Sequence, residues 1–123
     1  MDEKKRIIVV DANPLLSALL GGKARAIILS GLFRFVTTEH TTWEVKKYIP
    51  SISEKSAVPE KDIFFAFDRF PILTFHQKDY IDVMQKSASL IGDRDRKDVD
   101  VLALALKLGQ PIWSDDKDFE KLM

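Results

Sequence analysis

The chain has no cysteine and no long hydrophobic run. The lack of cysteine excludes a disulfide scaffold, a thiolate metal site and a cysteine nucleophile. No stretch approaches the ~20 apolar residues that a membrane-spanning helix needs, and the apolar segment after the charged start is too short for a signal peptide. We therefore expect a cytoplasmic protein.

The chain also lacks a net charge, because nineteen lysines and arginines balance nineteen aspartates and glutamates over 123 residues. A balanced composition produces neither the basic field that attracts nucleic acid nor the acidic excess that is typical of disorder. The sequence contains no repeat, no low-complexity tract and no flexible linker. These features predict one domain with a single core over residues 1–123.

What the sequence does contain is an alternation of strand and helix patterns. Ile7 to Val10 is a β-branched run with the continuous apolar character of a strand that is covered on both faces. Further strand patterns occur at 34–37, 72–75 and 111–113, and helical patterns separate them. Strands alternating with helices predict a three-layer α/β/α sandwich around a central parallel sheet of four or five strands.

Capping and breaker residues set the expected helix boundaries. Asn13 is the expected N-cap of the first helix, with Pro14 at its first position, and Pro50 is expected to end the helix that follows the second strand. Residues 51–59 have the composition of a loop. One continuous helix is predicted over 77–91, another from Asp98 to Gly109, and a last one over 114–123.

Several acidic residues are predicted to lie at one edge of this sheet. Asp11 ends the first strand, Asp116 follows the last strand, and Asp98 begins the late helix. Ligands of open parallel sheets bind beyond the carboxyl ends of the strands. Taken singly, each aspartate is also explained as a helix cap or turn residue, and Glu44 as part of a solvated helix face. Four further aspartates are expected to be solvated: Asp95, Asp100, Asp115 and Asp118.

Taken together, carboxylates in one cleft repel one another unless a cation neutralises them or some remain protonated. The available ligands are oxygens, which suit Mg²⁺ or Mn²⁺. His40 and His76 show no pairing at ligand spacing and are expected at the surface, so that zinc is disfavoured.

The two ends of the chain resemble those of the PIN domain, the metal-dependent ribonuclease domain of VapC-type toxins. The opening IIVVDANPLLSALL is similar to the family's first strand and helix. The close DVDVLALALKLGQPIWSDDKDF is similar to its aspartate, alanine-rich helix and strand, followed by a serine, a variable residue and an aspartate. The segment 49–92 carries no signature.

This resemblance implies hydrolysis of RNA phosphodiester bonds with Mg²⁺ or Mn²⁺ as cofactor. It assigns metal binding and catalysis to Asp11, Glu44, Asp98 and Asp116, with Asn13 and Ser114 as supporting polar groups. Glu39 begins the same helix as Glu44 and stays an alternative, and Asp95 stays an auxiliary candidate. The resemblance also implies an RNA substrate, a cognate antitoxin and a homodimer.

Two other families place acidic residues at the ends of strands in similar small α/β folds. In a phospho-accepting receiver domain the key aspartate follows the third strand, where this chain has Thr74, Phe75 and His76. A haloacid-dehalogenase-like phosphatase has a second aspartate two residues after the first, where this chain has Asn13. The remaining alternative is a non-catalytic PIN-like binding or assembly module.

Overall fold

A computed structural model describes residues 5–91 and 98–114. Its elements, in chain order, are β1 (Arg6–Val10), α1 (Ala12–Leu20), α2 (Gly22–Leu29), β2 (Phe33–Thr38), α3 (Glu39–Ser56), α4 (Glu60–Asp68), β3 (Ile72–Phe75), α5 (Met84–Ile91), α6 (Val99–Leu108) and β4 (Ile112–Trp113). The four strands of the described residues pair in the order β3-β2-β1-β4, and every pairing is parallel. The expected parallel α/β sandwich is confirmed.

Successive residues of the central strand β1 point to opposite faces of the sheet, as strand geometry requires. Val9 packs with Tyr80 and the apolar face of α6 on one side. Val10 packs with Leu15 of α1 and Val45 of α3 on the other side. Because both faces are covered, the strand reads as an unbroken apolar run.

The parallel arrangement brings the carboxyl ends of all four strands to one margin, here called the carboxyl edge. Helices that connect parallel strands run back across the sheet, so α1, α3 and α6 begin at this edge. The residues that follow or end the strands, among them Asp11, Thr38, His76 and Ser114, therefore lie along it.

Two of the expected helix boundaries are wrong. Helix α1 starts at Ala12 with Asp11 as its N-cap, so Asn13 lies inside the first turn. Helix α3 continues through Pro50 to Ser56 and includes most of the segment expected to be a loop. Its buried stripe of Thr41, Val45, Ile49 and Ile52 keeps helical spacing past the proline. Burial of that stripe outweighs the ~3 kcal/mol that an interior proline costs.

The continuous helix expected over 77–91 is also wrong. Two 3₁₀ turns, Gln77–Asp79 and Ile81–Val83, precede α5. Tyr80 lies between them with a non-helical backbone and a fully buried side chain, so tertiary packing interrupts the helix. The last helix expected over 114–123 lies almost wholly outside the described residues. Within residues 5–91 and 98–114, no helix combines the length and apolar character needed to cross a membrane.

Candidate active site

Asp11 is held at the end of the central strand by both neighbouring strands. Its backbone N–H donates to the Trp113 carbonyl of β4 at 3.0 Å. On the other side, the Thr37 hydroxyl of β2 donates to the Val10 carbonyl at 2.7 Å. The Asp11 side chain is only 9% exposed, and its Oδ2 accepts a hydrogen bond from the Ser114 hydroxyl at 3.0 Å. The carboxylate is thus nearly buried in a fixed position at the carboxyl edge.

Asp98 occupies the equivalent position at the start of α6. It is the N-cap of that helix, as expected from the sequence, and is buried to a similar degree. Neither the Asp11 nor the Asp98 carboxylate makes a capping hydrogen bond to the amides of its helix. Capping alone therefore does not explain the two aspartates.

The two candidate glutamates of α3 differ in burial. The Glu44 side chain is 12% exposed, and its Oε1 lies 2.9 Å from Nε2 of His40, one turn earlier. The Glu39 side chain is 63% exposed, and its Oε2 lies 2.5 Å from Nδ1 of His76. The partly buried setting expected for Glu44 is present, although its neighbour Trp43 is exposed rather than buried.

Asp100 was expected to be solvated, and that expectation is wrong. Its side chain is buried in the first turn of α6. Its Oδ2 accepts a short hydrogen bond from the Tyr80 hydroxyl and a longer one of 3.5 Å from Nε2 of Gln77. Burial raises the pKa of Tyr80, and the hydrogen bond to Asp100 raises it further. Tyr80 therefore remains a neutral donor at physiological pH.

This Tyr80–Asp100 contact was missed because its partners lie twenty residues apart and belong to different elements. The only signal in the sequence is an aspartate that follows Asp98 by two positions, at the start of an otherwise apolar helix. From the sequence alone, an aspartate at this position is expected to be exposed to solvent. Only the fold shows that Tyr80 lies against it.

The other expected site residues are either exposed or outside the described residues. Asn13 is exposed in the first turn of α1. Asp95 and Asp116 lie outside the described residues. Within the described ranges, no group of three or more histidine and acidic side chains is arranged to hold a metal ion. Of the expected acidic residues, the structure describes Asp11, Glu44 and Asp98, and each of them is buried or nearly so.

Two basic residues of the helices that flank the sheet, Arg25 of α2 and Lys47 of α3, have different surroundings. Arg25 donates to the carbonyls of Ala18 and Leu19, each at 2.9 Å, and so caps the end of α1 that is remote from Asp11. Lys47 places its Nζ 4.2 Å from the centre of the Trp43 ring in the first half of α3. Among these cations, Lys47 is therefore closer to the carboxyl edge than Arg25.

Comparison with known proteins agrees with this architecture. A family model described as the PIN domain matches residues 9–122. The crystal structure of Mycobacterium tuberculosis VapC20, described as a toxin that cleaves the sarcin–ricin loop, aligns with a TM-score of 0.60 and 18% sequence identity over 94% of each chain. No curated protein matches the sequence.

Proposed function

The chain belongs to the PIN domain family, and on that premise we propose that it is a metal-dependent endoribonuclease that acts as the toxin of a toxin–antitoxin pair. The observation that carries the proposal is the pair of buried aspartates at the carboxyl edge. Asp11 and Asp98 begin helices without capping them. Both carboxylates are nearly buried, and buried carboxylates gathered at one edge are stabilised by a hard divalent cation.

The donor chemistry of this edge fits a hard divalent cation. Asp11, Asp98 and Glu44 offer carboxylate oxygens, the ligands that Mg²⁺ and Mn²⁺ prefer. Under this proposal, Asp11 and Asp98 hold the ion together with Asp116, and Glu44 either binds it or orients the attacking water. Ser114 fixes the Asp11 carboxylate through its 3.0 Å hydrogen bond, and Asn13 is a second supporting polar group.

The chemistry supplied by a bound Mg²⁺ is a water of lowered pKa and neutralisation of charge on the phosphate. The protein contributes geometry, because its carboxylates lie on rigid elements at the end of a central strand. The backbone hydrogen bond from Asp11 to Trp113 and the Ser114 hydrogen bond hold the Asp11 carboxylate in one position.

The test is cleavage of a mixed RNA pool with Mg²⁺ or Mn²⁺ and with chelator. We expect chelator-sensitive cleavage by the wild type and a loss of about a hundredfold or more in Asp11→Asn, because a ligand charge is removed. The matched control is Asp62→Asn, which changes an exposed aspartate near the remote end of α1.

Folding of each variant is checked by its melting temperature. Asp11→Asn should melt at the same temperature as the wild type or higher, since one repulsive charge is removed. Full chelator-sensitive activity in folded Asp11→Asn would contradict the metal assignment. An inactive wild type that still binds RNA would favour the non-catalytic binding module.

The toxin role rests on the family and on the description of the structural neighbour. It predicts that expression of the chain arrests growth of a host, and that co-expression of a small DNA-binding protein encoded beside it restores growth. Such a partner would be the antitoxin, and the toxin itself is proposed to be a homodimer. Growth arrest that persists in Asp11→Asn would count against RNA cleavage as the cause.

A further inference from the structure

A second feature of the carboxyl edge is a cavity of about 440 Å³, whose lining residues His40 and Asp100 are near neighbours of Glu44 and Asp98. It lies between the first turns of α3 and α6 and is lined by Glu39, His40, Trp43, Gln77, Tyr80 and Asp100. Asp11, Glu44 and Asp98, the proposed metal-binding residues that the structure describes, do not line it. Its volume falls in the range of small-ligand sites.

Trp43 gives this cavity a large aromatic wall. The side chain is 56% exposed on a helix whose buried stripe lies elsewhere, so packing of the core does not account for it. Lys47 places its cation over the Trp43 ring, and the His40 ring lies 5.8 Å from it. Exposed aromatic rings next to cations are the surfaces on which unstacked bases of single-stranded RNA bind.

The lining of the cavity also includes two oriented carboxylates, Asp100 of α6 and Glu39, one turn before Trp43 in α3. The Tyr80 hydroxyl and the Gln77 amide both donate to Oδ2 of Asp100, which fixes that side chain and leaves Oδ1 without a hydrogen bond from a described residue. Glu39 is likewise oriented by a partner, because its Oε2 is hydrogen-bonded to Nδ1 of His76. Ionised carboxylates can only accept hydrogen bonds, so these two side chains select a ligand that donates them.

We propose that this cavity binds one base of the RNA substrate, stacked on Trp43, and that Asp100 and Glu39 make guanine the preferred base. Guanine presents an imino and an amino donor side by side on its Watson–Crick edge, whereas adenine and cytosine present one amino group and uracil one imino group. The proposal rests on the proposed ribonuclease function and adds the base that the enzyme selects next to its cleavage site.

The direct test is binding of the four nucleoside 5′-monophosphates in the presence of chelator, followed by NMR of the indole N–H groups. The chain has two tryptophans. We expect guanosine monophosphate to shift the Trp43 resonance and to leave that of Trp113, which packs on Phe35, unchanged. Its affinity should exceed that of uridine monophosphate by at least about tenfold, as expected for added hydrogen bonds to charged acceptors.

Substitutions separate stacking from base selection. Trp43→Leu should weaken binding of all four nucleotides by roughly fivefold to a hundredfold, the range measured for loss of one stacked base. Tyr48→Leu is the matched control, because Tyr48 is another exposed aromatic residue of α3 that does not line the cavity. Glu39→Gln should reduce the preference for guanine while retaining binding.

The outcomes distinguish this inference from the proposed function, because nucleotide binding in chelator requires neither metal nor cleavage. A Trp43 resonance that none of the nucleotides moves, or that all four move with the same affinity, would overturn the guanine subsite even if RNA is cleaved. A response to free arginine but not to guanosine monophosphate would also overturn it and would indicate a cavity for a basic side chain of a protein. Guanine-selective binding by a protein that cleaves no RNA would support the subsite and refute the catalytic proposal alone.

Discussion

The helices that begin at the carboxyl edge start in two different ways. Helix α3 starts at Thr38, whose hydroxyl accepts a hydrogen bond of 3.0 Å from the Thr41 amide. Helices α1 and α6 start at Asp11 and Asp98, whose carboxylates make no such bond. Aspartate is at least as good an N-cap as threonine, so the difference does not come from intrinsic capping ability.

What differs is the surroundings of these side chains. The Thr38 hydroxyl also lies 2.8 Å from the Thr41 hydroxyl of its own helix, and it is hydrogen-bonded to the Tyr80 side chain. Asp11 instead accepts its hydrogen bond from Ser114, at the end of a different strand. Thr38 caps its own helix, whereas the Asp11 carboxylate does not cap α1 and accepts a hydrogen bond from the end of β4. Thr38 is thus a structural cap and Asp11 a candidate metal ligand, and substitutions test both roles.

The largest expected effect is stabilisation by metal. If Asp11 and Asp98 bind a divalent ion in the folded state only, Mn²⁺ at a hundred times its dissociation constant should stabilise the wild type by about 2.7 kcal/mol. Asp11→Asn and Asp98→Asn should lose this shift, and Thr38→Ala should keep it. Thermal melting with and without Mn²⁺ provides the measurement. Stabilisation by Mn²⁺ that is undiminished in both aspartate variants would show that neither aspartate binds the metal.

The second prediction concerns the residue that orients Asp11. Ser114→Ala removes the hydroxyl that donates to Oδ2 of Asp11. Loss of a hydrogen bond to a metal ligand typically reduces metal affinity or activity by about 10- to 100-fold. The concentration of Mn²⁺ needed for half-maximal cleavage should therefore rise. Ser30→Ala, which changes an exposed serine at the end of α2, is the control and should leave that concentration unchanged.

The third prediction concerns Tyr80, the buried tyrosine that donates a hydrogen bond to Asp100 in the first turn of α6. Because the pKa of folded Tyr80 lies above the unfolded value of 10.0, its stabilising contribution is complete below that pH and is lost as pH rises further. The free energy of unfolding should fall above about pH 10. Tyr80 contributes at most ~1.4 kcal/mol per pH unit to this decline. Urea unfolding between about pH 8 and 11 measures the slope.

Tyr80→Phe should make this alkaline decline shallower, since the group that resists ionisation is gone. Tyr48→Phe is the matched control, because Tyr48 is the other tyrosine of the chain and is exposed. Identical alkaline slopes for the wild type and Tyr80→Phe would show that burial of Tyr80 does not govern this decline.

The sequence predicts the sheet and the position of Asp11 because both depend on local pattern. A β-branched run that ends in an acid identifies β1, and parallel topology carries its end to the carboxyl edge. The same reasoning predicts that Asp98 begins a helix, which the structure confirms.

The features that the sequence does not predict depend on tertiary contacts. Pro50 is a local stop signal, but the buried residues Ile49 and Ile52 on either side of it keep α3 helical. Tyr80 interrupts the segment before α5 because its ring is buried and its hydroxyl reaches Asp100. The aromatic cavity around Trp43 is likewise assembled from three separate segments of the chain. Such contacts join distant segments of the chain, so local spacing in the sequence does not predict them.

The smallest expected effect tests the structural side of the comparison. Thr38→Ala removes the hydroxyl that caps α3 and should lower the free energy of unfolding by about 1 kcal/mol, as loss of a threonine cap does. Asp98→Asn should lower it by less, or raise it, because no capping bond is lost and one negative charge is removed from an acidic edge. Urea unfolding at neutral pH without divalent metal measures both variants. An equal loss of stability in the two would mean that Asp98 supports its helix as Thr38 does, and the case for Asp98 as a metal ligand would lose its structural basis.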